Sequence, residues 1–168
     1  MNARAEKSVV QPAFEHAVAG NGKTRLRQAL PDGWRTAADI AAFKGSVTVV
    51  IDAMRHGVSA AIVPGVAQRF GLSQDKLFEI LRLPKSTMKA RIGSNALLSP
   101  VEQDRIYRAD RVWDRAVAVL EDEDAARCWV TRENRSLGGV TPLSLLDTEA
   151  GYELVLDTLG RIAHGVIA

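Results

Sequence analysis

The chain has 168 residues, 46% of them apolar and 25% charged, with a formal net charge of +2; this length suits one compact domain with extensions or two very small ones, in an ordinary globular composition. No window approaches the roughly 20 uninterrupted apolar residues of a membrane span, and the opening MNARAEKSVV lacks an apolar core followed by a cleavage site, so neither an anchor nor a secretory leader is expected. Cys128 stands alone, which excludes an internal disulfide, and the scattered His16, His56 and His164 argue against a zinc site; a reduced, cytoplasmic chain without metal or cofactor is expected.

Residues 1–46 hold Pro12, Gly20, Gly22, Pro31, Gly33 and Gly45 with short apolar stretches between them. They read as an arm, in part disordered, with a short helix at Thr36–Ile40. Val47-Thr48-Val49-Val50-Ile51 is β-branched enough to mimic a strand. No second strand stands nearby, and Asp52 to His56 continues the run toward Gly57, so a helix ending at glycine is expected. Val66, Ala67, Phe70 and Leu72 mark the apolar face of a helix stopping at Gly71. Ser73 then caps Gln74 to Leu81, with Leu77, Ile80 and Leu81 facing inward. Pro84 breaks the chain before a helix from Lys85 to about Ile92. Ser99-Pro100-Val101-Glu102 combines an N-cap serine, proline at the first helical position and glutamate three residues after the cap. The long helix it opens repeats Ile106, Ala109, Trp113, Ala116 and Leu120. Short helices at Ala125–Val130 and Leu143–Leu146 flank a turn at Leu137-Gly138-Gly139, and Thr148-Glu149 begins a last helix whose stripe is Tyr152, Val155, Leu159 and Ile162. The fold class is all-α, and no repeat is present.

Charge is unevenly spread. Between Val66 and Arg115 basic residues outnumber acidic ones, whereas from Glu121 to Asp157 acids dominate, headed by Glu121-Asp122-Glu123-Asp124. Two different partners, or simply solvated helix faces, fit this division. No P-loop, dinucleotide-binding glycine motif, nucleophile elbow or HExxH helix is present. Cys128 beside Trp129 reads as a small buried apolar residue rather than a nucleophile. No catalytic residue is expected, so the chain reads as a non-enzyme.

Two short helices joined by Arg82-Leu83-Pro84 have helix-turn-helix spacing. Met88 and Ile92 would anchor the second, leaving Lys85, Ser86, Thr87, Lys89, Ala90 and Arg91 as candidate DNA-binding residues: small hydroxyls reach base edges, and cations hold phosphates. Arg105, Arg108, Arg111 and Arg115 on the next helix could extend that footprint. A competing register, Ala67-x3-Gly71-x5-Leu77, makes Ser73–Leu81 the recognition helix, and the spacing leaves both open. An ordinary helical bundle is the simpler alternative. The segment after residue 120 looks too small to complete a core alone; it needs a partner or its own dimer, or else caps the preceding helices.

Cys128-Trp129-Val130, then Leu137-Gly138-Gly139-x-Thr141-Pro142-Leu143-x-Leu145-Leu146-x-Thr148-x-x-Gly151, then Val155-x-x-x-Leu159-x-Arg161-Ile162-x-x-Gly165-Val166 resemble the toxin-binding domain of Xre/MbcA/ParS-type antitoxins. Leu83 to Lys89 and Leu98 to Arg108 resemble the same family's central helical region, so the likeness covers about residues 59–168. It implies an Xre-like helix-turn-helix bundle for DNA binding and dimerisation (47–120), followed by a small helical toxin-binding domain (121–168). The implied partners are operator DNA, a second copy in a homodimer, and a RES-domain toxin that degrades NAD or uses it for ADP-ribosylation. The implied function is a type II antitoxin that blocks the toxin's active site and represses its own operon.

On that reading Trp129, Leu137, Gly139, Thr141, Pro142 and Leu145 shape the toxin-binding domain. Tyr152, Arg161, His164 and Gly165 are the expected toxin contacts. A guanidinium at Arg161 could occupy a site built for phosphate or carboxylate, or form a surface salt bridge within its own helix. Three departures stand out: Ala90 where many relatives carry arginine, Gly93 within the helix, and Phe78 and Arg82 where the helix-turn-helix pattern has alanine and glycine. The alternative reading is a stand-alone helix-turn-helix transcriptional regulator with a C-terminal dimerisation domain.

Overall fold

A computed structural model of the chain describes residues 47–165. The expected arm at 1–46, with its helix at Thr36–Ile40, lies outside the described residues. Those that are described belong to one compact unit and are helical. Helix α1 spans Val47–His56, α2 Val63–Arg69, α3 Gln74–Ile80, α4 Lys85–Gly93, α5 Pro100–Leu120, α6 Glu123–Thr131 and α7 Glu149–Ala163, with single 3-10 turns at Ala60–Ile62, Arg135–Leu137 and Pro142–Leu145. Among the described residues no strand forms; the isolated bridges Ser59–Leu97 and Asn134–Val140 only pin loops.

Most helix starts follow from their caps. Ser73, Asp122 and Thr148 each accept a backbone N–H three residues on. Ser99 does the same from Glu102 while the Glu102 carboxylate accepts from the Ser99 backbone, closing a capping box with Pro100 at the first position. Helix α1 forms despite its β-branched start because Val50 and Ala53, one turn apart, bury against the core; the propensity penalty is only a few tenths of a kcal/mol per residue. Gly57, at φ +95°, ends it.

Helix α5, about 31 Å long by its rise, is the spine. Helices α2, α6 and α7 all pack on it. Its inward residues Ile106, Ala109, Val112, Trp113 and Ala116 are all buried. Phe70, at the end of α2, meets Trp113 edge-on with ring centroids 5.4 Å apart. On the C-terminal side Ala126, Val130, Leu143, Leu146, Val155 and Leu159 are fully covered within this one chain. The segment after residue 120 therefore completes its core against α5, and the expectation that it needs a partner to do so is corrected.

Several inward assignments also shift. Phe78, read as a departure from the helix-turn-helix pattern, is fully buried, while Ile80 is only half-buried. Leu120, Tyr152 and Ile162 are half-buried at the edges of their stripes. Gly93 closes α4 without shortening it. Cys128 is half-buried rather than sealed in the core.

Candidate nucleic-acid interface and partner-binding surface

Both candidate helix-turn-helix pairs have a left-handed residue in the turn: Gly71 at φ +65° between α2 and α3, and Arg82 at φ +52° between α3 and α4. Glycine adopts this conformation without steric cost, whereas arginine does not. Here the Arg82 carbonyl accepts from Arg105 Nη1 at 2.7 Å, and its guanidinium pairs with Asp147 at 3.0 Å. Backbone geometry thus leaves two registers, and the two helices present different exposed faces. Helix α3 presents Lys76 and Glu79 paired to each other at 2.7 Å, plus Asp75. Helix α4 presents Lys85, Ser86, Thr87, Lys89 and Ala90 on one exposed side, with Met88 fully buried behind them and Ile92 half-buried.

Arg91 is not brought to that side. It donates to the Leu97 carbonyl at 2.7 Å and approaches the buried Glu102 carboxylate at 3.2 Å, bracing the start of α5. Arg105 likewise bonds the Leu81 and Arg82 carbonyls, and Arg108 lies between Asp104 and Glu149 at 2.6 and 2.8 Å. The expected basic row on α5 is therefore reduced to the exposed Arg111 and Arg115. Lys89 forms a salt bridge to Asp75 at 2.8 Å, and its hydrogen bond holds the Asp75 carboxyl below the ordinary carboxylate range. Glu79 is lowered in the same way, chiefly by its hydrogen bond from Lys76. An open groove of about 770 Å³ beside this pair is lined by Pro64, Gln68, Gly71, Ser73, Asp75 and Lys89.

In the C-terminal segment the expected shaping residues divide by burial. Leu137 and Pro142 are buried. Thr141 caps the 3-10 turn through Ser144 at 3.3 Å, Gly139 takes φ +80° in the exposed turn, and Leu145 is half-buried beneath α7. Trp129 sits half-buried on the outer side of α6, against a recess of about 350 Å³. The expected contact residues spread along α7: Tyr152 lies near its start, half-buried, and His164 and Gly165 are exposed at its end, about 18 Å away by helical rise. Arg161 forms the salt bridge within its own helix, to Asp157 at 3.1 Å. Asp157 is largely exposed and Arg161 partly so, at 41%, so the pair is worth only a few tenths of a kcal/mol and is readily exchanged. Burial and the proximity of Tyr152 move the Tyr107 hydroxyl above its ordinary range, with desolvation the larger cause.

Contacts joining the two segments escape sequence reading. Arg127 of α6 donates to the Arg69 carbonyl at the end of α2 at 3.0 Å and lies 5.6 Å over the Trp113 ring. Its Cδ fills the space a side chain at Gly71 would need. Together with Arg82–Asp147 and Arg108–Glu149, this ties the turn of each candidate helix-turn-helix to the C-terminal segment. The helical period of α6 could have pointed to Ala125, Cys128 and Arg132 beside Trp129; nothing local signals Arg127. Among the described residues no three histidine, cysteine or acidic side chains come together as a metal site, and no helix is long and apolar enough to cross a membrane.

Known proteins match both segments. Residues 49–109 match the antitoxin Xre-like helix-turn-helix domain, and residues 115–165 match the antitoxin Xre/MbcA/ParS C-terminal toxin-binding domain. An antitoxin Xre of Yersinia enterocolitica is 30% identical over 122 residues, covering 72% of this chain and 82% of the relative. One from Photorhabdus laumondii is 32% identical over 116 residues, 68% of this chain and 78% of the relative. A Sphingobium protein named "Prs ADP-ribosylating antitoxin" is 25% identical over 155 residues, 87% of this chain and 98% of the relative. The chain therefore belongs to the Xre antitoxin family, with a helix-turn-helix domain and a C-terminal toxin-binding domain built on the shared helix α5.

Proposed function

We propose that this chain, in the cytoplasm, neutralises a RES-domain, NAD-consuming toxin by covering its active site, and as a homodimer represses its own operon through operator DNA. The observation that carries the reading is the match of residues 115–165 to a toxin-binding domain, packed on the same helix as a helix-turn-helix. The name of the Sphingobium relative couples an antitoxin with ADP-ribosylation, a reaction that draws on NAD, and this favours an NAD-using partner. Arg161, His164 and Gly165 at the exposed end of α7, with Tyr152 and Trp129, are the proposed contacts; Leu137, Gly139, Thr141, Pro142 and Leu145 hold them in place. Arg161 can exchange Asp157 for an anionic group of the toxin at little cost.

The test is growth rescue on co-expression with a RES-domain toxin, taken from the neighbouring gene where one encodes it, together with inhibition of NAD loss by the purified pair. The wild-type chain is expected to restore growth and stop NAD loss at equimolar ratio. Arg161→Ala combined with His164→Ala is expected to lose rescue while its melting temperature stays within about 2 °C, because both are surface changes. Full rescue by that variant would overturn the contact assignment.

For DNA, we propose α4 as the recognition helix, with Lys85, Ser86, Thr87, Lys89 and Ala90 facing the groove. Lys89→Ala is expected to weaken operator binding and flatten the slope of log affinity against log salt by about 0.9, one phosphate contact. Asp75→Asn should act oppositely, strengthening binding several-fold at low salt, since it removes the carboxylate that holds Lys89. Unchanged affinity and slope for Lys89→Ala would instead favour Ser73–Leu81 as the groove helix.

A stand-alone transcriptional regulator is the second reading, favoured by one observation: the C-terminal apolar core closes within this chain. An isolated gene with no RES-domain neighbour, and a protein that binds its operator fully without any toxin, would support it.

A further inference from the structure

The inner side of α6 is satisfied by Ala126 and Val130, both fully buried. Its outer side is not. Ala125, Cys128 and Trp129, together with Leu120 at the end of α5, line the recess of about 350 Å³, with Arg132, Glu133 and Asn134 also on its walls. Apolar residues with a tryptophan beside polar, exposed ones match the anatomy of an interface anchor, where a large side chain is desolvated behind a wetter border.

Immediately before Ala125 lies the exposed run Glu121-Asp122-Glu123-Asp124. Two of these acids have work inside the chain: Asp122 caps α6 by accepting from Ala125 N–H at 2.6 Å, and Asp124 pairs with Arg127. Among the described residues Glu121 and Glu123 have no ion pair. The recess thus opens beside two uncommitted negative charges within residues that match a toxin-binding domain.

We propose that this recess is the anchor pocket of the toxin interface: it takes one aliphatic or aromatic side chain of the toxin, from a segment whose basic residues face Glu121 and Glu123. The proposal rests on the toxin-neutralising function and adds a second point of attachment, on α6, away from the end of α7. Burial of the anchor supplies affinity, and the carboxylates steer the basic segment and fix its register.

Cys128 lines the recess and is the chain's one cysteine, so its alkylation reports occupancy directly. In the complex with the RES-domain toxin used in the growth-rescue test, N-ethylmaleimide modification of Cys128, read by mass spectrometry on this chain, is expected to slow at least about tenfold. Ala125→Trp fills the recess from an exposed helix position and should weaken the complex at least about tenfold while leaving the melting temperature of the free chain unchanged. Glu121→Gln with Glu123→Gln should slow association and reduce its salt dependence.

If the complex forms but Cys128 is alkylated at the free rate, or Ala125→Trp binds as the wild type does, the anchor pocket is overturned while toxin neutralisation stands. If no complex forms, both fall. Protection of Cys128 that depends on the concentration of this chain alone would make the occupant a second copy and likewise overturn the assignment.

Discussion

Gly151→Ala is expected to destabilise the chain by about 3 kcal/mol, lowering its melting temperature by roughly 10 °C, and to abolish toxin neutralisation with it. The reason is space, not backbone conformation: Gly151 has no left-handed φ. A Cβ placed there would stand 2.0 Å from the Leu145 carbonyl oxygen and 2.8 Å from its carbon. Those are backbone atoms, which cannot rotate aside as a side-chain tip can. The same oxygen accepts from the Thr148 backbone at 3.3 Å, and Thr148 Oγ1 in turn accepts from Gly151 N–H at 3.1 Å, so the turn and the first residues of α7 form one tight unit. Admitting a methyl group would swing α7 outward and uncover Val155 and Leu159, both fully buried now.

Gly160→Ala is the matched control. It lies on the same helix, a Cβ there meets nothing within 4 Å, and it should be neutral or stabilise by up to about 1 kcal/mol through helix propensity. Thermal denaturation of the two variants measures the contrast directly. A shift below about 2 °C for Gly151→Ala would show that the 3-10 turn at Pro142–Leu145 yields and that the close approach is not a constraint.

Arg69→Ala is expected to cost about 3 kcal/mol, because it withdraws a guanidinium from Asp110, whose carboxylate is 1% exposed. The pair joins the last residue of α2 to the middle of α5, so the loss should appear in operator binding as well as in denaturant unfolding. Arg69→Lys should recover only part of the stability, since an ammonium lacks the forked donor geometry. The Arg69 carbonyl still accepts from Arg127 in either variant, which confines the test to the side chain. Urea unfolding that changes by less than about 1 kcal/mol would mean that Asp110's other contacts are sufficient by themselves.

The two segments of the chain were legible to different degrees. In the helix-turn-helix, Ser73, Pro84 and Met88 marked the helices correctly, yet Arg82 looked foreign to the pattern. The structure resolves this: the turn needs a left-handed residue, and Arg82 supplies it while bonding to Arg105 and Asp147. Arg91 reads as a phosphate ligand by its place next to Lys89, but the start of α5 engages it first. Side-chain charge says nothing about which of two nearby carboxylates or phosphates will be met, and that choice depends on how neighbouring helices pack.

The caps at Ser73 and Ser99 and the glycine stops at Gly57 and Gly71 were determined by the sequence alone, because each rests on hydrogen bonds reaching three or four residues; α6 instead begins at Glu123 rather than Ala125, and Leu143–Leu146 is a 3-10 turn over Pro142–Leu145 rather than a helix. The resemblance of residues 128–166 to a toxin-binding domain was equally legible, since spacing along one segment carries it. Only the tertiary structure decided that both segments share α5 as one core. It alone shows that Arg127 clasps a carbonyl 58 residues away, that Asp110 meets Arg69 across 41 residues, and that the outer side of α6 is left with an apolar recess beside free carboxylates. Contacts over such separations leave no period in the chain, so they exist only once the helices are packed.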